Sequence, residues 1–175
     1  MTRSKPTEIY LSRYPTPVGS LHIASTARGI CRIAFGDPGD LERVQEWIEK
    51  HFPVYSIIAE PAVHREVHRE LKDYFEGRRR RFNVRVHLVG TDFQLQTWTA
   101  LRSIPYGETR SYKQIANIIG NPTATRAVGG AIGQNPIPII VPCHRVIGDN
   151  GKLVGFSGGI ERKQFLLQLE GVLIV

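Results

Sequence analysis

Cys143 follows a proline and precedes a His-Arg pair in the stretch "NPIPIIVPCHRVIG" of residues 135–148. A thiol reacts as its thiolate, and a nearby imidazole, guanidinium or helix N-terminus lowers its pKa. His144 and Arg145 supply two of these by sequence alone. Adjacent side chains on a strand point apart. His144 therefore serves Cys143 only if the chain turns sharply or a water bridges them, which predicts a single helical turn over residues 142–145. A histidine acting as a base is ordinarily oriented by a third group, and Glu170 is the candidate. It sits in the last turn of a helix read from "GIERKQFLLQLEG". There the macrodipole disfavours a carboxylate by roughly 0.3–1 kcal/mol unless a partner compensates it. The plainer alternative is a solvated glutamate. A free cysteine more often packs as a small hydrophobe, and that reading suits Cys31, inside an apolar strand.

The elements that must position these groups follow from punctuation and periodicity. Prolines at 136, 138 and 142 bar a helix and remove backbone donors, so "PIPIIVP" is expected to be extended and edge-like, delivering Cys143 at its end. The loop "GDNGKLVGFSGG" (148–159) reads as a hairpin followed by a glycine turn whose amides can approach a planar ligand, or else as plain hairpin geometry. Upstream, "SYKQIANIIG" reads as a short helix capped by Ser111, with Ile115, Ile118 and Ile119 on one face and a stop at Gly120. After about three turn residues, Thr123 can cap "ATRAVGGAIG", with Ala127, Val128, Ala131 and Ile132 as its apolar face. The pair matches a helix-turn-helix. By themselves, the small residues Ala124, Ala127, Gly129, Gly130 and Ala131 fit tight helix packing as well as a groove. A preceding helix enters through Thr91 or Asp92.

Before residue 90 the pattern alternates as in a β-meander: "EIYLSRY" (8–14), "GSLHIAS" (19–25) and "GICRIAF" (29–35), separated by turn residues. A helix started by Asp37 or Asp40 follows, with Leu41, Val44, Trp47 and Ile48 sharing a face. A second runs from near Pro61 to Glu76, with Val63, Val67, Leu71 and Phe75 at helical spacing and Gly77 stopping it. "RFNVRVHLV" (81–89) alternates again as a returning strand.

With 175 residues and a net charge of +7, the chain can bury a real core and favours an anionic partner such as nucleic acid. Neither half is a basic tail: residues 1–88 hold 15 Lys and Arg against 11 Asp and Glu, and residues 89–175 hold 8 against 5. Two cysteines make no disulfide framework, no stretch approaches the roughly 20 apolar residues of a membrane span, and "MTRSKPTEIYLSRYPTP" lacks a signal core. The expected location is intracellular: cytoplasm, or nucleus in a eukaryote. His64 and His68 stand four apart but read as a solvated helical face, and no metal or other cofactor is expected. The "RRRR" run at 78–81 reads as a solvated feature at a helix end.

Taken together, residues 104–171, with "PCHRV" spaced without gaps from "SY", "RAVGGA" and "GFSGG", closely resemble the O6-alkylguanine-DNA alkyltransferases, also called methylated-DNA–protein-cysteine methyltransferases. "TPVGSLHIASTARGI" is similar to that family's first strands. The resemblance implies that Cys143 accepts the alkyl group, His144 draws off its proton through a water, and Glu170 orients His144. It implies that Asn135 ties the DNA-binding helix to the active-site strand, and that Tyr112 sits by the target phosphate and donates a proton towards guanine N3. Arg126 would hold the gap left by the flipped base, with Ser111, Ala124, Thr125, Ala127 and Gly129 against the minor groove of double-stranded DNA. The base pocket would use Val146, Phe156, Ser157 and Gly158. Carbonyls of Cys143 and Val146 would accept from the guanine amine, and the Ser157 amide would meet O6. Phe156 stands where the family often has tyrosine. The implied partner is duplex DNA carrying O6-alkylguanine, met by a monomer, with cooperative loading left open.

Two other functions compete: a lesion-recognition module that signals without reacting, and a cysteine hydrolase. Cys143 kept beside His144 and Glu170 speaks against the first, and no positioned water or oxyanion hole is evident for the second. The expected fold is α+β: an N-terminal domain, residues 1–89, with a three-stranded antiparallel sheet and helices, then a mostly helical domain, residues 90–175, carrying the helix-turn-helix and the alkyl acceptor.

Overall fold

A computed structural model describes residues 4–172, and the chain divides into two compact units, residues 1–89 and 90–175. In the first unit the alternating runs form strands β1 (Thr7–Thr16), β2 (Gly19–Thr26) and β3 (Gly29–Phe35), each antiparallel to the next. The β2–β3 turn depends on Gly29, whose φ is 138° and where a Cβ would lie 2.5 Å from the Arg85 carbonyl oxygen. Helix α1 (Asp40–His51) covers the sheet through Val44 and Ile48, whereas Leu41 is left exposed. The sheet has a fourth strand, β4 (Tyr55–Ile58), parallel to β1, so the order is β3-β2-β1-β4. The expected returning strand reduces to one bridge between Ile30 and Val86.

A 3-10 turn (Pro61–His64) leads into helix α2 (Arg65–Phe75), and Gly77 at φ 73° ends it. The solvated face expected at His64 and His68 is not what forms. His64 is 1% exposed, its ring nitrogens lie 2.5 Å from the Ser12 hydroxyl and 2.7 Å from that of Ser25, and Ser12 also meets His68. An imidazole gains more from two hydroxyl partners inside than it loses in hydration. In the arginine run, Arg78 pairs with Asp73 and Glu76, and Arg79 with the buried Glu70.

In the second unit helix α3 (Asp92–Arg102) begins with a full capping box between Thr91 and Gln94. Its Trp98 is buried and donates to the Ala131 carbonyl at 2.8 Å, tying α3 to the helix-turn-helix. A two-residue strand β5 (Arg110–Ser111) precedes helix α4 (Tyr112–Ile118), which Ser111 caps with Gln114 in a second capping box. Helix α5 (Thr125–Gly133) follows a connection over residues 119–124, longer than expected, and its N-cap is Ala124; Thr123 instead donates to Asn121. Ile115, Val128, Ala131 and Ile132 are buried; Ile118 and Ala127 are exposed, contrary to the face expected for them.

The chain then reaches Cys143 by turns rather than by a strand. The Val141 amide donates back to the Ile137 carbonyl at 2.9 Å, and Ile139 adopts φ 75°. Proline's fixed φ suits turns as well as extended chain. The left-handed Ile139, which costs about 1–3 kcal/mol, is held by burial along with Ile137, Ile140 and Val141. A 3-10 turn (Cys143–Arg145) and strand β6 (Val146–Ile147), parallel to β5, complete the approach. Over residues 148–159 two turns form, one with the Gly148 amide on the Lys152 carbonyl and one with the Gly159 amide on the Phe156 carbonyl, and no strand ladder joins them. Helix α6 (Ile160–Leu169) ends at Glu170.

Candidate active site

The expected helical turn is present as the 3-10 turn, and it places Cys143 and His144, 4% and 0% exposed, in the interior of the second unit. His144 Nε2 lies 2.8 Å from Glu170 Oε1. A carboxylate only accepts, so Nε2 carries the proton and donates. Nδ1 is then a bare lone pair, buried and without a partner among the described residues. A neutral imidazole fixed in this tautomer is equipped to accept a proton. Burial holds His144 below the ordinary imidazole pKa, while its bond to Glu170 pulls the other way.

Glu170 is not solvated. It caps α6 at 4% exposure and accepts from Arg145 Nε and Nη2, both at 2.9 Å, as well as from His144 and the Gly107 amide. Burial alone would raise its pKa, but the hydrogen bonds and charges of His144 and Arg145 more than offset this and hold it at about 2. The bidentate guanidinium is the partner that cancels the unfavourable helix end. Arg145 therefore faces Glu170 and the Ile104 carbonyl, at 2.6 Å, rather than tuning the thiol as its sequence position suggested.

Cys143 itself is pushed up by burial, and the Asn135 amide, the Lys163 charge and backbone amides act against that. Asn135, just past α5, donates from Nδ2 to the Val141 carbonyl at 2.8 Å and accepts from the Ile137 amide at 3.1 Å. It thus pins the turns before the cysteine to the end of the helix. Cys31 contrasts with it: fully buried in β3, it donates to the Ala24 carbonyl and is pushed up to about 12 by burial, a packing thiol.

Tyr112 opens α4, and its hydroxyl donates to the Val154 carbonyl at 3.0 Å, with Gly129 of α5 and Gly155 beside the ring and hydroxyl. Burial and then the Cys143 charge raise its pKa. The β5–β6 pairing sets Ser111 against Ile147, which brings the start of α4 alongside the segment after Cys143. On α5, Arg126 and Ala127 are exposed with Gly130 and Gly133, while Ala124, Thr125 and Gly129 are half-buried. That exposed face is one arginine on a bed of small residues. Phe156 and Gly158 are half-buried and Ser157 exposed, in a tight turn closed by the Gly159 amide on the Phe156 carbonyl. The carbonyls of Cys143 and Val146 each already accept an internal bond, from the Val146 amide and from Lys163 Nζ; each oxygen keeps a second lone pair.

Residues 92–172 match the family model of the 6-O-methylguanine DNA methyltransferase DNA binding domain, and residues 9–88 match that of the ribonuclease-like domain of the same methyltransferases. The chain belongs to the 6-O-methylguanine DNA methyltransferase family. Among this family's members, it is 45% identical over 170 residues to the inducible methylated-DNA–protein-cysteine methyltransferase of Bacillus subtilis, covering 97% of this chain and 94% of that one. It is 43% identical over 164 residues to the methylated-DNA–protein-cysteine methyltransferase of Methanosarcina acetivorans, covering 93% and 99%. The fold superimposes on the crystal structure of the Mycobacterium tuberculosis O6-methylguanine methyltransferase with a TM-score of 0.79 at 42% identity, over 93% and 92% of the two chains. On the crystal structure of Mycobacterium tuberculosis OGT in complex with DNA the TM-score is 0.78, with the same identity and coverage.

Two members of the site escape sequence reasoning: Arg145 as the partner of Glu170, and Lys163. Lys163 is fully buried, and its Nζ donates to the carbonyls of Val146, Val154 and Gly155 at 2.5, 3.0 and 3.2 Å. A signal for Lys163 existed in α6. The buried positions 163, 166, 167 and 170 recur at helical spacing, so a lysine and a glutamate share the face of two leucines. Among the described residues no group of three or more metal-binding side chains gathers, and no helix is long and apolar enough to cross a membrane.

Proposed function

We propose that this chain repairs alkylated DNA by direct reversal, moving the alkyl group of O6-alkylguanine irreversibly onto Cys143. The observation that carries the reading is the buried Cys143–His144–Glu170 arrangement, with one imidazole nitrogen committed to the carboxylate and the other unengaged. Family membership, and relatives named as methylated-DNA–protein-cysteine methyltransferases, support the same chemistry. Sulfur attacks the alkyl carbon as the bond to O6 breaks. The thiol proton passes to His144 Nδ1 through a water, and the resulting imidazolium is balanced by Glu170. Tyr112 leaves the Val154 carbonyl to donate towards guanine N3. The product is a thioether that water does not cleave, so each molecule acts once.

Recognition falls to residues 90–175 of the chain, and duplex DNA is the partner. O6 lies on the major-groove edge of a stacked pair, so a buried thiol requires the nucleotide to be extruded. The exposed face of α5, with Arg126 rising from Ala127, Gly130 and Gly133, supports entry into the narrow minor groove, where bulky side chains do not fit. Arg126 fills the space the base leaves; Ser111, Tyr112, Ala124, Thr125 and Gly129 line the strand path. Val146, Phe156, Ser157 and Gly158 form the base pocket. Asn135 keeps α5 and the cysteine turn in register. The protein acts as a monomer inside the cell.

The test is to mix the protein with duplex DNA containing O6-methylguanine and map the product by peptide mass spectrometry. A methyl on the peptide bearing Cys143, and none on that bearing Cys31, is expected. DNA bound without any methylated cysteine would leave only lesion recognition.

A further inference from the structure

We infer that Tyr106 is a positioning residue for this transfer: from the turn after α3 it holds the end of α6 by the Leu169 carbonyl and packs its ring on the Arg145 guanidinium, which keeps the Glu170 carboxylate aligned on His144. The inference rests on the alkyl-transfer reading and extends it to a turn that the chemistry does not otherwise use. Residues 105–108 close that turn: the Glu108 amide donates to the Pro105 carbonyl at 3.1 Å, and Gly107 takes φ 80°. A left-handed residue at that place favours glycine. A Cβ there would also lie 3.1 Å from the Glu170 carbonyl oxygen, so the turn sits directly on the end of α6.

The segment grips both partners of the buried ion pair. The Ile104 carbonyl accepts from Arg145 Nη1 at 2.6 Å, and the Gly107 amide donates to Glu170 Oε2 at 3.4 Å. The Tyr106 ring centroid lies 5.9 Å from the Arg145 guanidinium carbon, within reach of a cation–π attraction. The Tyr106 hydroxyl answers a need of the helix. An α-helix ends with carbonyls that find no amide further along it. In α6 those of Leu166, Leu167 and Gln168 accept from the amides of Glu170, Val172 and Gly171, at 3.1, 2.9 and 3.0 Å. Leu169, the residue before Glu170, accepts from Tyr106 at 3.1 Å. One side chain thus fixes the backbone next to the carboxylate and one face of the guanidinium bound to it.

His144 depends on that alignment. Its Nε2 donates to Glu170 Oε1 at 2.8 Å, and a hydrogen bond weakens steeply as it bends. The imidazole is faced by Cys143 and Arg145 from its own turn and by Lys163 and Glu170 from α6, while Tyr112 of α4 faces the thiol. Glu170 raises the basicity of His144, and Arg145 and Lys163 lower it. A carboxylate that drifts therefore leaves His144 less able to take the thiol proton. Hydroxide can still remove that proton at high pH, so the loss is greatest near neutrality and closes as pH rises.

The test compares wild type, Y106F and Y106L in two assays run from about pH 6.5 to about pH 9.5. One follows single-turnover methyl transfer from a saturating O6-methylguanine duplex. The other follows carbamidomethylation of Cys143 by iodoacetamide without DNA, read by peptide mass, with thermal melting as the check on folding. Y106L should be roughly tenfold or more slower than wild type at pH 7 in both, with a gap that shrinks steadily as pH rises. Y106F keeps the ring and loses the hydroxyl, and should be slowed less, about twofold or more, with the same trend. A folded Y106L that matches wild type throughout overturns the role. So does one slowed by the same factor at every pH, because that is what plain destabilisation gives. If Y106L does not fold, Y106F decides in its place: slowing at pH 7 that fades with rising pH supports the role, and any other profile overturns it. Because carbamidomethylation needs no DNA, a wild type that takes no methyl from the duplex sinks the repair reading by itself, and the iodoacetamide series still decides whether Tyr106 governs Cys143.

Discussion

Replacing Glu170 by glutamine keeps the shape of the side chain and removes the charge on which His144 and Arg145 both depend. Two routes give the cost. The drop of the Glu170 pKa from the ordinary 4.5 to about 2 corresponds to roughly 3 kcal/mol of stability at neutral pH. Removing one partner of a buried pair, which here leaves the Arg145 guanidinium at 6% exposure without its carboxylate, costs about 3–5 kcal/mol. The two agree, so E170Q should lose about 3 kcal/mol, or roughly 6–12 °C in melting temperature if the chain melts as a whole and roughly 12–24 °C if the second unit melts alone. The pH dependence has a definite sign. A carboxylate whose folded pKa is depressed stabilises above its unfolded value, and that contribution fades as pH falls towards the folded value. The gap between wild type and E170Q should be full at pH 5 and above, shrink below about 4.5 and be nearly gone by about 2. Urea denaturation at a series of pH values measures it. A gap under about 1 kcal/mol at pH 7, or one that widens on acidification, would refute this account of Glu170.

Other substitutions separate folding from function. G130L places a bulky side chain on the exposed face of α5, where a Cβ meets nothing within 4 Å; stability should hold or rise by about 0.5–1 kcal/mol from helix propensity, while affinity for duplex DNA in a gel-shift titration falls at least tenfold. R126A, at an exposed side chain, should leave the melting temperature unchanged and slow methyl transfer from duplex far more than reaction with free O6-benzylguanine, compared by stopped-time quench. Methylation of Cys143 crowds a site with 4% exposure, and overpacking typically costs about 1–3 kcal/mol, so the reacted protein should melt lower than the unreacted one by calorimetry.

Local chemistry was legible wherever one element decided its own form. The three meander strands, the N-cap at Ser111, and the turn at Cys143 follow from alternation, a cap residue and the need to bring His144 round. Strand β4 was not, because "YSII" is short and its partner, β1, pairs with it in parallel from a distant part of the chain. The approach to Cys143 misled for a related reason. β-Branched residues between prolines fit a strand, but the Asn135 side chain and the Ile137–Val141 bond offer the backbone partners that a turn needs. Glu170 was legible as a helix-end anomaly, and the partner that resolves it, Arg145, stood two residues from the cysteine. His64 was misplaced because helical spacing alone does not reveal that Ser12 and Ser25 wait on neighbouring strands.

The most direct test of the central claim is stoichiometry. Protein is incubated with a tenfold or greater excess of duplex carrying a labelled O6-methylguanine, and protein-bound label is counted to completion beside a C143A control. The account predicts a plateau at one methyl per molecule, none in C143A, and no further repair however long the incubation. Lesions consumed beyond one per molecule, or label retained by C143A, would contradict it.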